Sequence, residues 1–189
     1  MSITNAPFSH PSSARSAATS SIPLIKGSIT SGNTTSGGTG IAVGGWMGGI
    51  EPASAVCRLD RDGTLTIVVG TVDMSGTSTT FAQIAAEAAG VPVEDVAVIN
   101  ADTDAAPYAG ASGGSKITYT VGAAVERAAR EARRQILAIA AAHLEAAVED
   151  LELGDRRVRV RGVPDRGVAI AELAKLSMQF GARYEPVLG

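Results

Sequence analysis

The sequence predicts an α/β (α+β) domain: a mixed β-sheet with hairpins, a βαβ-like crossover and one long amphipathic helix packed on it. Three observations carry this. First, Val68–Gly90 (VVGTVDMSGTSTTFAQIAAEAAG) passes from an apolar strand through a small-residue loop into a helix, and a second apolar run, Val96–Asn100, follows. A strand, a helix and a strand in that order predict a crossover with parallel pairing. Second, Asp62-Gly63 and Gly154-Asp155 supply turn chemistry between alternating apolar runs, which predicts two hairpins. Third, Thr118–Val148 keeps helical periodicity throughout.

Taken in order, residues 1–40 differ from the rest. Ser, Thr and Gly fill 21 of these 40 positions, and Arg15 and Lys26 are the only charges. Such a composition buries too little to offset ordering entropy. Residues 1–39 are therefore expected to be a flexible leader, with room for one edge strand over Ser21–Ile29 and with His10 solvated, and residues 40–189 a partial domain. Gly40–Gly49 (GIAVGGWMGG) reads as a kinked first strand with Trp46 as a core plug. Ala53–Leu59 and Thr64–Thr71 form the first hairpin. In the following helix Phe81, Ile84, Ala85 and Ala88 share a face, Thr80 and Gln83 resemble a capping box, and Gly90 before Val91-Pro92 stops it.

Val96–Asn100 (VAVIN) reads as a buried strand. It leads into Ala101–Lys116 (ADTDAAPYAGASGGSK), a polar, glycine-rich loop of the kind that binds ligands in α/β folds. Asp102 and Asp104 read as turn-forming residues rather than an acid–base pair, and Tyr108 as a ring over a ligand or a packing anchor. In the long helix, Val121, Val125, Ala128, Ala132, Ile136, Ile139 and Ala140 line one face, and Glu126 and Arg130 are ordered for an i, i+4 pair. About 28 helical residues would span roughly 40 Å, so another element is expected along it. His143 sits near its C-terminal end. Leu151–Leu153 and Arg157–Arg161 make the second hairpin, with Arg156, Arg157, Arg159 and Arg161 as a solvated face. Val168–Ser177 reads as a short helix, and no closing element is expected after Phe180 and Tyr184.

Composition sets the function classes. Hydrophobic residues at 45% suffice for a core, and aromatics at 4% leave Ala, Val, Ile and Leu to fill it. A net charge of −3 with dispersed basic residues gives no nucleic-acid footprint. No apolar run nears the roughly 18 residues of a membrane span, and no secretory signal is recognisable. Cys57 is the only cysteine, which argues for a reducing cytoplasm and against zinc or iron–sulfur sites. Two small-residue stretches stand at helix starts, Met74–Ser78 and Gly113–Ile117, where free N–H groups and the helix dipole suit an anion.

The order GTGIAVGGWMGG, PASAV with DGTL, VGTVDMSGTSTTFAQIAAE with GVP, EDV and DTD, then GASGGSKITYTVGAAV resembles the molybdenum hydroxylases: xanthine dehydrogenase, aldehyde oxidase and carbon monoxide dehydrogenase-like large subunits. The resemblance runs from about Gly38 to Gly189 and covers one segment of a much longer molybdenum-binding region. It implies a molybdopterin site, with the cofactor in its cytosine dinucleotide form carrying Mo and held only together with other polypeptide. Met74, Ser75, Gly76, Thr77 and Ser78 fall where many members carry a Gly-Gln-Gly loop and would hold the phosphate side. Gly113, Gly114, Ser115, Lys116 and Ile117 fall on a Gly-Ala-Ser-Arg-Ser stretch along the pterin. Ser75 in place of glutamine removes an amide contact, and Lys116 in place of arginine keeps a point charge without the fork.

The resemblance further implies an oxidoreductase hydroxylating aldehydes or N-heterocycles, with the family's catalytic glutamate on other polypeptide. The implied partners are the remainder of the large subunit and iron–sulfur and flavin subunits or domains, with neither nucleic acid nor membrane. No catalytic or metal-ligating residue is assigned to this chain. The alternative is a non-catalytic, truncated or split domain acting through protein–protein contacts. A small phosphate-binding α/β protein ranks last, since neither GxxxxGK[ST] nor GxGxxG is present.

Overall fold

The computed structural model describes residues 24–31, 34–41 and 51–189. The expectations placed on His10, on Trp46 as a core plug and on most of Gly40–Gly49 lie outside the described residues. The chain divides into two compact units, Met1–Trp46 and Met47–Gly189. In the first, β1 (Leu24–Ser31) and β2 (Thr34–Ile41) pair antiparallel, Leu24 opposite Ile41 and Ser31 opposite Thr34. This stretch, read from composition as leader, thus holds a hairpin.

The second unit is built on a three-stranded mixed sheet in the order β3 (Val56–Leu59), β4 (Leu65–Val69), β5 (Val96–Asn100). β4 is central because its sequence, LTIVV, is β-branched and apolar on both faces; Leu65, Ile67 and Val69 are fully buried. It pairs antiparallel with β3, Cys57 opposite Ile67, across a turn in which Gly63 N donates to Asp60 O at 2.9 Å. Gly63 is needed there twice over: its φ is +93°, and a Cβ would stand 2.8 Å from Ala171 N. β5 joins β4 in parallel, so the predicted crossover is present. VAVIN is not buried, however. It occupies the sheet edge, and Ile99 faces outward at 48% exposure.

The crossover helix, α1 (Thr77–Ala89), buries Phe81, Ala85, Ala86 and Ala89. It ends at Gly90, whose left-handed backbone lets its N–H reach Ala86 O at 2.8 Å. α2 (Ile117–Leu144) has the predicted length of 28 residues, about 42 Å at 1.5 Å per residue. Its buried face is the predicted one, Val121, Val125, Ala128, Ala132, Ile136, Ile139 and Ala140 included. The elements that pack along it include α1, β3, the strands Leu151–Gly154 and Val163–Ala169, the helix Ile170–Met178 and the C-terminal stretch, the most extensive contact being with α1. Small side chains set how closely the helices approach: a Cβ on Gly122 would sit 3.1 Å from Ile84 Cδ1. Arg133 Nη1 donates to Ala89 O at 2.8 Å and so caps α1 from α2. On the outer face Glu126 and Arg130 pair at 2.7 Å, and His143 is exposed.

A further sheet follows, β6 (Leu151–Gly154), β7 (Arg157–Val160) and β8 (Val163–Ala169), antiparallel throughout. Two sequence expectations change here. The turn residues with positive φ are Asp155 and Arg156, one place later than Gly154-Asp155. Val163–Ala169 forms a third strand, so the last helix, α3 (Ile170–Met178), starts two residues after Val168. The arginine face is solvated as expected, with Arg156, Arg157 and Arg161 exposed, and it also pairs: Arg156 with Asp95 at 2.8 Å, Arg159 with Asp155 at 3.1 Å, and Arg157 donating to Gly167 O at 3.1 Å.

The stretch after Phe180 and Tyr184 also closes more than expected. Cys57 N donates to Gly189 O at 2.9 Å and Gly189 N to Cys57 O at 2.8 Å, which extends the mixed sheet beyond β3. Gln135 on α2 holds the same stretch from above, accepting from Leu188 N at 3.0 Å and donating to Leu188 O at 2.7 Å.

Two tests follow from this core. Phe81 is the largest fully buried side chain among the described residues, so Phe81→Ala should cost about 3–5 kcal/mol in denaturant-induced unfolding. Burial, reinforced by the Asp60 carboxylate, pushes the Cys57 thiol up to about 12. Cys57 should accordingly resist iodoacetamide at pH 8 in the native chain and react fully in guanidinium, as read by mass spectrometry.

Candidate functional site

The two loops singled out in the sequence leave the C-terminal ends of β4 and β5, where parallel strands of α/β folds present their ligands. What brings them together is a glycine. A Cβ on Gly70, just past β4, would collide with Pro107 O and approach Ala106 Cβ to 3.1 Å, so loop 101–116 can lie on the strand end only because Gly70 is bare. Asn100 then ties the pieces. Its Nδ2 donates to Thr71 O at 2.7 Å, and its Oδ1 accepts from Ser78 Oγ at 3.1 Å. Asp102 Oδ1 accepts from Asp104 N at 3.1 Å and Ala105 N at 3.0 Å, the turn role expected of it. Tyr108 is exposed, and its carbonyl accepts from Ser54 N at 2.7 Å.

Between the loops lies a cleft of about 350 Å³. From the first loop Val72, Met74, Ser75 and Thr77 line it; from the second, Ser112, Gly113, Ser115, Lys116, Ile117 and Thr118. Seven of the ten residues singled out in the sequence therefore share one wall. Gly76, Gly114 and Ser78 do not: the glycines shape the backbone behind it, and Ser78 is spent on Asn100.

Both loops enter their helices through two consecutive left-handed residues. These are Ser75 (φ 58°) with Gly76 (φ 80°), and Gly114 (φ 61°) with Ser115 (φ 54°). A left-handed serine costs on the order of 1 kcal/mol, the kind of strain found at ligand clamps. Successive N–H groups in such turns line concave, anion-accepting surfaces.

The electrostatics correct two expectations. The capping box at Thr80 and Gln83 is absent: Thr80 Oγ1 turns back onto Gly76 O at 3.3 Å, because Gly76 is already the N-cap. The cap comes from Asp73, whose Oδ1 accepts from Ser78 N at 3.2 Å and Thr77 Oγ1 at 3.0 Å. The positive end of α1 thus already faces a carboxylate. Lys116, expected as a free point charge, has a side chain only 6% exposed and an ammonium paired with Glu51. Glu51, Asp73 and Asn100 were not singled out in the sequence. An acidic residue a few positions before a helix start was the one local signal, at Asp73.

The cleft lining mixes polar groups with the apolar side chains of Val72, Met74 and Ile117. Hydroxyls line the cleft at Ser75, Thr77, Ser112 and Ser115, and the backbone is bare at Gly113, where nothing stands within 4 Å of the missing Cβ. Among the described residues no group of three His, Cys, Asp or Glu side chains could hold a metal ion, so a metal at this site would arrive on its cofactor.

Residues 21–186 match the model of the molybdopterin cofactor-binding domain, a span that begins upstream of Gly38. The chain is 38% identical over 122 residues to the carbon monoxide dehydrogenase large chain of Afipia carboxidovorans, covering 64% of this chain and 15% of that protein. It is 33% identical over 140 residues to the nicotine 6-hydroxylase large subunit of Paenarthrobacter nicotinovorans, covering 71% of this chain and 17% of that one. Among solved structures, quinoline 2-oxidoreductase from Pseudomonas putida 86 superposes with a TM-score of 0.61 at 30% identity, over 72% of this chain and 18% of that one. The chain belongs to the molybdopterin cofactor-binding domain family and is homologous to a segment of molybdenum hydroxylase large subunits. It spans about a sixth of the length of these relatives and, among the described residues, has no helix long and apolar enough to cross a membrane.

Asp73 gives a pH test. The Ser78 N–H, then the Thr77 hydroxyl, hold its carboxyl below the usual aspartate value. A depressed native pKa means stability present above the unfolded value, near 4, and lost as pH falls through the native one. The melting temperature of Asp73→Asn should therefore fall furthest below wild type at pH 7, with the gap closing towards pH 2.

Proposed function

We propose that the chain supplies two cofactor-binding loops to a molybdenum hydroxylase, as one segment of its large subunit. The observation that carries this is the shared cleft: loops separated by some forty residues meet on one surface and present hydroxyls and bare backbone to it. In this reading the cofactor is molybdopterin, in the cytosine dinucleotide form, with Mo. Met74 to Ser78 face its phosphate side and Gly113 to Ile117 its pterin. The remaining large-subunit polypeptide and iron–sulfur and flavin subunits or domains complete a cytoplasmic enzyme that hydroxylates aldehydes or N-heterocycles.

When bound, the cofactor supplies the two-electron chemistry by which such enzymes insert oxygen from water. This chain's part is to hold and orient. The left-handed pairs set the shape of both loops before any ligand arrives, so that strain is met in folding and not on binding. Ser75, Ser112, Ser115 and Thr118 add hydroxyls that donate or accept as the pterin edge requires. Asp73 faces the same helix end as an incoming phosphate, so a phosphate must sit beside that carboxylate on the remaining N–H groups.

That last point favours a second reading, a domain that keeps the fold and acts through protein contacts without cofactor. Two positive features of the cleft, the α1 terminus and Lys116, are already matched by carboxylates. Titration of the purified chain with molybdopterin cytosine dinucleotide, followed by calorimetry, separates the two. Gly113→Val is the control, since Gly113 has open space where a side chain would go and its φ is not left-handed. Gly76 and Gly114 would be strained by any side chain. We expect saturable binding that weakens at least tenfold in Gly113→Val at an unchanged melting temperature. No heat up to millimolar cofactor would overturn the cofactor reading in favour of the second.

A further inference from the structure

Glu51 lies outside the cleft, yet two points of the second loop close on its carboxylate. One is Lys116, whose buried ammonium pairs with Glu51 Oε2. The other is Gly110, so near that a Cβ there would collide with Glu51 Oε2 and stand 2.7 Å from Lys116 Nζ. Between these two feet run Ala111 to Ser115, which include the left-handed pair and three of the residues that line the cleft. The stretch behind Glu51 is fastened to the same loop: Ser54 N donates to Tyr108 O at 2.7 Å, and Ser54 Oγ to the same oxygen at 3.1 Å.

Lys116 is also the hinge between loop and helix. Its N–H donates to Gly113 O at 3.3 Å, and its carbonyl accepts from Thr120 N at 2.9 Å and Thr120 Oγ1 at 3.2 Å. Fixing its side chain fixes the last turn of the loop relative to α2. A surface pair would do this weakly, but here the lysine is desolvated and the carboxylate is its acceptor. An unpaired lysine at that depth draws water or swings outward, and it takes the Gly114–Ser115 turn with it.

We propose that Glu51 is a positioning residue for the cofactor loop: it holds Gly110 and Lys116 together and thereby sets the backbone of Gly113 to Ile117 that lines the cleft. The function assigned to this geometry rests on the cofactor reading above; the geometry itself does not. Lys116 accordingly acts as a strut of the loop rather than as a charge offered to phosphate.

The test is 15N relaxation on the full chain without cofactor, comparing wild type, Glu51→Gln and the double variant Glu51→Gln/Lys116→Met, each with a thermal melt. Wild-type order parameters over Gly113 to Ile117 should match those of the helices, about 0.85, and fall below about 0.6 in Glu51→Gln. Where Glu51→Gln folds poorly, the double variant decides, because it removes both charges at nearly constant volume. It should regain the melting temperature while residues 113 to 117 stay mobile. A pair that merely stabilises the fold would instead give back rigidity along with the melting temperature, and that result, or wild-type order parameters in Glu51→Gln, would overturn the proposal. These readings need no ligand. A wild-type chain that takes up no cofactor would therefore sink the cofactor reading alone.

Discussion

The close approach of Gly70 to Pro107 is the contact on which the site depends. Parallel pairing of β4 and β5 delivers two loops to the same end of a sheet, but delivery does not make a surface. The second loop must fold back over the strand it did not come from, and only a residue without a side chain leaves room for it. Everything else around the cleft is arranged on that contact. Asn100 bridges Thr71 and Ser78 across the seam, and Asp73 fastens the start of α1.

The helices matter through what they lack. Aromatics are scarce, and the buried faces of α1 and α2 are rich in alanine, with Gly122 receiving the tip of Ile84. Such an interface has few rotamers to freeze, and alanine is the best helix former. It also places the N-terminal ends of both helices at the same cleft, which is why two separate helix starts contribute to one wall.

Periodicity made most of the fold legible: the first hairpin, the crossover, the length and buried face of α2. It failed where tertiary context decides. VAVIN looks like a core strand by composition, and its place at the sheet edge depends on what does not pair with it. Val163–Ala169 contains Pro164, Asp165 and Gly167, residue types depleted in strands, yet β8 is an edge strand, where proline is tolerated. For the site, the small-residue loops were visible as sequence, and the resemblance to molybdenum hydroxylases gave them a ligand. Their charges were not visible. Lys116 is read from sequence as a point charge for phosphate; its partner Glu51 is 65 residues away, and no local pattern announces a bond over that distance.

The hydrogen bonds between Cys57 and Gly189 have a consequence for handling the chain. They cover one border of the three-stranded mixed sheet, while the opposite border, β5, has no further strand beside it among the described residues and shows Ile99 to the outside. An unprotected border of this kind is a template for another chain's backbone. Aggregation at high concentration should therefore begin at Val96–Asn100, and a lysine at Ile99, on the outward face, is the economical way to suppress it.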